Sequence, residues 1–267
     1  MSRLTLDWYN LEQKPGKDLC LKIPLCDVYS RIIDRAFPDL VHIGWREDTK
    51  GTCYTYFKSI AAEEQEQLTA LLDFLKQLLC ITRTKVLEQH FKDELTEAYA
   101  LDFNFEQDKH PLEYTQAGKA EHAAKEEQNP KAIEGLAKCL AKVIELHPTL
   151  NRADFIAAVP SRPSKAFHLP VELVKQIGGL LNRNTGLKVT KIEHEKLKTL
   201  AVEDKVKALM NAFTLHEPVA GKTIVLVDDL YQSGVTLWSL ARFLKQNGAR
   251  AVYGLACVKS WSDSDNV

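Results

Sequence analysis

The run Ile224-Val-Leu-Val-Asp228-Asp229-Leu-Tyr-Gln-Ser-Gly-Val-Thr236 limits the fold more than any other stretch of this chain. Four branched apolar residues in succession suit a buried strand, expected over Thr223–Val227. Two adjacent carboxylates stand where that strand is expected to end. A short polar loop with one glycine follows, and a helix is expected from Val235 to Gln246. Strand ends that face helix N-termini are where α/β proteins bind ligands. Acidic residues there suit sugar hydroxyls or a metal, and the helix start suits a phosphate. A phosphorylated ribose carries all of these features.

The surrounding pattern agrees with an α/β chain. Phe155–Val159 reads as a short buried strand, followed by the polar loop Pro160–Phe167. Pro170–Asn182 reads as a helix, Leu187–Ile192 as a second strand, and Ala251–Val258 as a last buried strand. Gly248 suits a helix C-cap. Alternating strands and helices imply a parallel sheet. Upstream, Ala98–Phe105 reads as a strand, and Gly118–Glu127 and Pro130–His147 as helices. The charge mixture from Lys119 to Lys131 reads as a solvated face. Glu193–Asn211 is charged and reads as mobile or weakly helical.

The first 95 residues carry no recognisable chemistry. Asp27–Phe37 reads as a short amphipathic helix and Gly51–Lys58 as a strand. Glu63–Cys80 reads as a helix, with Leu68, Leu71, Leu72, Leu75, Leu78 and Leu79 at helical spacing. That stripe suits a core or a subunit contact, so a homodimer is left open. The expected organisation is an extension over 1–95 and a second domain over 96–267.

Composition excludes several classes. A net charge of −1 gives no global positive field to attract nucleic acid or an acidic membrane. No apolar run reaches the ~18 residues of a membrane helix, and the first ten residues lack a signal-peptide core, so a cytoplasmic protein without membrane contact is expected. Cys20, Cys26, Cys53, Cys80, Cys139 and Cys257 include no Cys-x-x-Cys pair. They are read as six reduced thiols, with Cys139 and Cys257 in the core. A zinc site from Cys20, Cys26 and Cys53 is the less economical reading.

Asp228 and Asp229 would repel one another unless they meet a cation or hydroxyl donors. A ribose supplies two neighbouring hydroxyls, and Mg2+ could sit nearby through water. The N–H groups of Gln232, Ser233, Gly234, Val235 and Thr236 would converge on a phosphate, with Ser233 and Thr236 adding hydroxyls. The plainer alternative is a strand–turn–helix with acidic turn residues. In the loop after the first α/β strand, Ser161, Arg162 and Lys165 suit a diphosphate, or else form a solvated basic turn.

Val227–Thr236 resembles the phosphoribosyl pyrophosphate (PRPP) signature of type I phosphoribosyltransferases. Asp228–Leu237 is more narrowly similar to the ComF-like (competence protein F) branch. The segment from Lys205 to Asn211-Ala212-Phe213 and, more weakly, Tyr114–Ile144 are similar to parts of that branch. The resemblance implies a Rossmann-like parallel sheet (core about 151–260) under a small hood (about 96–150), with 1–95 as a mixed α/β extension. It implies that Asp228 and Asp229 bind ribose hydroxyls and that Gln232, Ser233, Gly234 and Thr236 hold the 5′-phosphate. It also implies that Ser161, Arg162 and Lys165 occupy the pyrophosphate loop and that Mg2+ is the cofactor. Lys196 and Lys198 fall where relatives have a mobile loop, although a solvated face is the simpler reading. His194 reads as a surface histidine. Trp261 suits either stacking on a base or a place at the core edge.

Two departures bear on activity. Where purine-salvage relatives have an aspartate that handles the base's proton, this chain has Gln232, which exchanges no proton at neutral pH. The cysteine-rich zinc region that often starts ComF-like proteins is replaced by an unrelated extension. The resemblance therefore implies one of two things. The first is transfer of phosphoribosyl from PRPP to an unidentified acceptor. The second is a non-catalytic PRPP- or nucleotide-binding module with a DNA-processing partner.

Overall fold

The computed structural model describes residues 5–261 except 14, 25, 107, 108, 165 and 193–199. The chain divides into two compact units. One comprises Met1–Cys80 with Leu146–Thr149, and the other Ile81–Glu145 with Leu150–Val267.

The first unit is built on an antiparallel sheet in the order β1-β2-β4-β3. These strands are β1 (Asn10–Gln13), β2 (Leu19–Ile23), β3 (Arg46–Glu47) and β4 (Cys53–Phe57). Two helices belong to it, α1 (Cys26–Ala36) and α2 (Ala62–Leu75). Leu19, Leu21 and Ile23 alternate on β2 with less buried positions only in part, and all three are nearly inaccessible. The leucine stripe of α2 is core, with Leu68, Leu71, Leu72 and Leu75 buried. The helix is shorter than the expected Glu63–Cys80. Tight i→i−3 bonds from Gln77 to Phe74 and from Leu78 to Leu75 close it, and Leu79–Cys80 forms the short strand β5. Leu78 and Leu79 keep helical spacing by coincidence.

Also in this unit, His147 is fully buried near Phe74, at 6.3 Å between ring centroids. Its Nδ1 accepts the Thr149 N–H at 3.3 Å. Burial lowers its pKa to about 3, so the ring is neutral.

The cysteines depart from the expectation of six thiols. Cys20, Cys80, Cys139 and Cys257 are thiols outside any disulfide, but Cys53 is disulfide-bonded. Cys139 is exposed, because it falls on the outer side of its helix, between the buried Leu136, Ala137 and Leu140. Cys257 is buried as expected.

The second unit has the expected α/β architecture with a Rossmann-like parallel sheet. In chain order it contains α3 (Lys85–His90), β6 (Glu97–Phe103), α4 (Gln116–Glu126), α5 (Pro130–Leu146), β7 (Phe155–Ala158), α6 (Leu169–Leu181), β8 (Val189–Lys191), α7 (Val202–Leu209), β9 (Phe213–Leu215), β10 (Thr223–Tyr231), α8 (Val235–Gln246) and β11 (Ala251–Lys259). Strands β6, β11, β10 and β7 lie side by side in that order, each pair parallel. The sheet's core is the run Ile224–Val227 with Val252, Leu255, Ile156 and Tyr99. Helix α8 packs closely on β11, since a Cβ at Gly254 would stand 2.6 Å from Leu237 Cδ2.

Strand β8 and the charged stretch after it differ from the sequence reading. Strand β8, expected within the parallel sheet, instead pairs antiparallel with β9, from Val189↔Leu215 to Lys191↔Phe213. Within the charged stretch, Val202–Leu209 is a regular helix that buries Val202, Val206 and Leu209. No helix among the described residues is long and apolar enough to cross a membrane.

Candidate functional site

The carboxylate pair is placed by an asymmetry in the sheet. Strand β10 does not end at Val227 as expected; it continues through Asp228 and Asp229 to Tyr231. Its neighbour β11 continues alongside, with Leu230 opposite Val258 and Tyr231 opposite Lys259. On the other side, pairing with β7 stops at Val227↔Ala158, and the Val159 N–H makes a last bond to Val227 O at 2.9 Å. Pro160 comes next and has no N–H to extend the ladder. From Asp228 onward β10 therefore has a strand partner on one side only, and a crevice opens at the carboxyl end of the sheet.

The loop after Tyr231 turns into α8 at Gly234, the N-cap residue, with φ +76°. Glycine has no side chain to cap the helix, so the N–H groups of the first turn are offered to the cleft. Tyr231 packs against this turn: a Cβ at Gly234 would lie 2.1 Å from Tyr231 Oη, which accepts the Trp238 Nε1–H at 3.1 Å. A cavity of about 200 Å³ is lined here by Asp228, Gln232, Ser233, Gly234, Val235 and Thr236, together with Lys205 of α7. All five predicted phosphate-loop residues and one of the two carboxylates thus share one cleft.

Asp228 and Asp229 have different surroundings. Asp228 is half-buried, and desolvation followed by the neighbouring charge of Asp229 raises its pKa well above the usual range. Its Oδ1 accepts the Asp229 N–H at 2.9 Å. Asp229 Oδ2 instead meets Lys125 Nζ of α4 at 2.9 Å, and the same ammonium reaches Glu121 Oε1 at 3.1 Å. The side chains of Lys125, Asp229 and Glu121 are only 22%, 13% and 10% exposed, so this ion triad is shielded from water. Burial would lower the Lys125 pKa, but Asp229 and Glu121 together hold it above its ordinary value. Burial raises that of Glu121.

Helix α4 is fixed in place by its N-terminus. Thr115 caps it, accepting the Gly118 N–H at 2.9 Å and donating to Phe103 O at 2.6 Å. Gly118 sits so close to β6 that a Cβ would be 2.0 Å from Asn104 O. Glu121 and Lys125 follow one turn apart on one face, the i,i+4 spacing that brings such a pair together. The expectation of a solvated face over Lys119–Lys131 fails at these two residues, because the alternation of signs resembles an exposed helix while Glu121 is buried and Lys125, in contact with Asp229, is half-buried.

A second cation also escaped the sequence reading. Lys191 at the end of β8 is 8% exposed, with its Nζ 6.0 Å from the Phe213 ring centroid. Burial lowers its pKa to about 8, the charge of Asp228 opposes that drop, and Arg162 adds to it. Lys191, Arg162 and Asp228 therefore lie within electrostatic reach of one another. The basic character of 188–198 was visible in the sequence, but the pairing of β8 with β9 that accompanies the burial of Lys191 was not.

Of the pyrophosphate-loop residues, Ser161 and Arg162 are half-buried after β7, and Ser161 Oγ donates to Arg162 O at 3.3 Å. Lys165, His194, Lys196 and Lys198 lie outside the described residues. Trp261 makes an edge contact with Phe103, 6.0 Å between centroids, and its backbone N–H donates to Asn104 Oδ1 at 2.7 Å. Among the described residues, no cluster of three or more His, Cys, Asp or Glu side chains has metal-ligand geometry. The donor set near the loop is the carboxylate pair, which suits a hard cation that keeps most of its ligands from water and phosphate oxygens.

No protein-family model matches the chain. The chain is 42% identical over 53 residues to the DNA utilization protein YhgH of Escherichia coli (strain K12). That match covers 20% of this chain and 23% of YhgH, so the similarity spans under a quarter of that protein's length. Similar solved structures include an HGPRT-ase of Leishmania tarentolae in complex with GMP, at 13% identity over 48% of this chain and 66% of that one, with a TM-score of 0.33. A hypoxanthine-guanine phosphoribosyltransferase of Bacillus anthracis has 16% identity over 46% and 66%, also at 0.33. The orotate phosphoribosyltransferase of Francisella tularensis has 14% identity over 59% and 79%, at 0.34.

Proposed function

We propose that the cleft at the start of α8 binds a 5′-phosphorylated ribose, PRPP with Mg2+, and that the chain is a phosphoribosyltransferase-type protein. One observation carries this reading. The uncapped first turn of α8 opens on the same cavity as the half-buried Asp228, so a phosphate site and a hydroxyl site lie a few residues apart.

In this reading the N–H groups of Gln232–Thr236, with the Ser233 and Thr236 hydroxyls, hold the 5′-phosphate. Asp228 accepts hydrogen bonds from the ribose hydroxyls, and Asp229 supports it from β10. Ser161, Arg162 and Lys165 hold the pyrophosphate, and Lys191 and Lys205 add positive charge. Bound Mg2+ would neutralise charge on the departing pyrophosphate. Transfer breaks the bond between the anomeric carbon and the pyrophosphate oxygen. A bond from the acceptor nucleophile to that carbon replaces it, and the acceptor's proton passes to solvent or to a group on the acceptor side. Preorganised charge around the leaving group lowers the barrier. Asp228 and Asp229 would be the residues on which catalysis depends. The acceptor would lie near Trp261 and α4.

A second reading keeps the ligand and drops the transfer. Gln232 favours it, because it supplies no carboxylate to handle an acceptor's proton. The local match to a protein named for DNA utilization points the same way, toward a PRPP- or nucleotide-binding module that works with a DNA-processing partner. Pyrophosphate release in the presence of PRPP, Mg2+ and a panel of bases and amines separates the two. Release with any acceptor supports the transferase, whereas tight PRPP binding with no release across the panel supports the module.

A further inference from the structure

The antiparallel sheet of the first unit has one packed face and one open face. The odd-numbered residues of β2 and β4 turn inward and are all buried. The residues between them form the other face, where directly opposed residues stand side by side. One row across it runs Lys22, Tyr54, Arg46. The next runs Cys20, Tyr56, Ile43, with the Ile43 N–H on Tyr56 O at 3.1 Å. Lys58 follows one step beyond Tyr56 on β4.

A solvated sheet face is ordinarily polar, and this one carries aromatic and apolar side chains. Tyr56 is 37% exposed and Ile43 38%, with Tyr54 half-buried beside them. The two tyrosine rings meet edge to face, 6.2 Å apart at 86°. Cys20 raises the Tyr56 pKa through charge and then a hydrogen bond, so Tyr56 leans across β2. Tyr54 stands between two cations, Lys22 and Arg46, and Lys58 supplies a third. Among the described residues, none of these three pairs with a carboxylate. Glu12 sits on the outer strand β1, opposite Cys20 and away from the cations.

We propose that this face is a binding platform for single-stranded nucleic acid. Bases stack on Tyr54 and Tyr56, and Lys22, Arg46 and Lys58 meet the phosphates. Such stacking accepts any base, because every base has a π-face, and the cations follow the backbone. Rings set at 86° suit a strand whose bases turn independently, not the parallel bases of a duplex. The charges required are local, so a net charge of −1 does not oppose the contact. An acidic peptide would match the cations but leave both rings without a partner. The platform is independent of the sugar-phosphate reading of the second unit.

Fluorescence anisotropy of the full chain with labelled oligothymidylate and oligouridylate, each of about fifteen nucleotides, tests this. Saturable binding of one or both strands is expected at about 50 mM salt, with a Kd at or below about 100 μM. Three phosphate contacts predict a slope of log affinity against log salt of about −2, falling toward about −0.7 in Lys22→Gln/Arg46→Gln. Tyr54→Ala and Tyr56→Ala should each weaken binding at least about fivefold. Tyr54→Phe and Tyr56→Phe keep the stacking face and should stay within about twofold of wild type. Thermal midpoints report whether each variant is folded, and the salt slope decides the matter if alanine at either position is not tolerated.

Binding of neither strand overturns the proposal. So does unchanged affinity in both folded alanine variants, an unchanged salt slope in the cation variant, or equal affinity for a duplex of the same length. Polyglutamate that displaces the label as well as unlabelled strand does, at equal charge, would identify an acidic partner and overturn it too.

Discussion

A Cβ on Gly234 would stand 2.1 Å from the hydroxyl oxygen of Tyr231, and Gly234 itself has φ +76°. Both facts exclude a side chain at this position. The left-handed conformation costs a non-glycine residue roughly 1–2 kcal/mol, and the Tyr231 ring, held by Trp238, leaves the new atom no room. Gly234→Ala should therefore lower the thermal midpoint and reduce PRPP affinity by about tenfold or more, since the N–H groups of the loop are displaced. Urea denaturation and calorimetry on the same preparation measure both. Unchanged affinity would show that the loop does not hold the phosphate.

Lys191 gives the site a pH dependence. Its pKa is lowered to about 8, by burial and then by Arg162, against the attraction of Asp228. An anionic ligand binds the ammonium form, so affinity is complete below pH 8 and falls as pH rises through that value, by up to about tenfold per unit. Calorimetry at pH 7.5 and 9.5 should show the loss in wild type. In Lys191→Arg, whose charge persists over this range, the profile should be flat.

Lys205 and Lys207 lie on the same short helix in different settings. Lys205 is 4% exposed and lines the cavity, whereas Lys207 is exposed and pairs with Asp204 at 3.6 Å. Lys205→Met should weaken PRPP binding by about 1.5–3 kcal/mol, the scale of a hydrogen bond to a charged group. Lys207→Met should change it by less than about 0.5 kcal/mol. Equal effects would mean that only the general charge of α7 matters.

His147 makes the first unit sensitive to acid. Its pKa is lowered by burial to about 3, against an ordinary value of 6.5. Above pH 6.5 the ring is neutral in both states. Between 6.5 and 3 the unfolded chain takes up a proton that the folded chain refuses, so stability falls with pH at about 1.4 kcal/mol per unit. Denaturant midpoints at pH 7.5, 5.5 and 4.5 should therefore drop in wild type. In His147→Gln they should drop less. Parallel curves would place the acid sensitivity elsewhere.

The sequence was most legible where a short-range pattern decides the outcome. Helix α8 runs from Val235 to Gln246 as its periodicity indicates, and the apolar run of β10 is a buried parallel strand. It was less legible where a distant element intervenes. Asp228–Tyr231 have no strand pattern of their own and are extended because β11 continues beside them. Glu121 and Lys125 look like any exposed i,i+4 pair, and only the approach of α4 to Asp229 takes them from solvent, Glu121 fully and Lys125 in part. Lys191 is indistinguishable in sequence from its basic neighbours, and only the folded β8–β9 pair shows that it is buried. The antiparallel sheet of the first unit was visible only at β4, because β1 and β3 are short and polar.

The central claim is that Asp228 and the loop at the start of α8 form one ribose-phosphate site. Titration calorimetry of wild type and Asp228→Ala with PRPP and Mg2+ tests it most directly. The account predicts saturable binding to wild type with a Kd at or below about 100 μM, weakened at least about tenfold in Asp228→Ala. No binding to wild type, or binding that Asp228→Ala leaves unchanged, would contradict it.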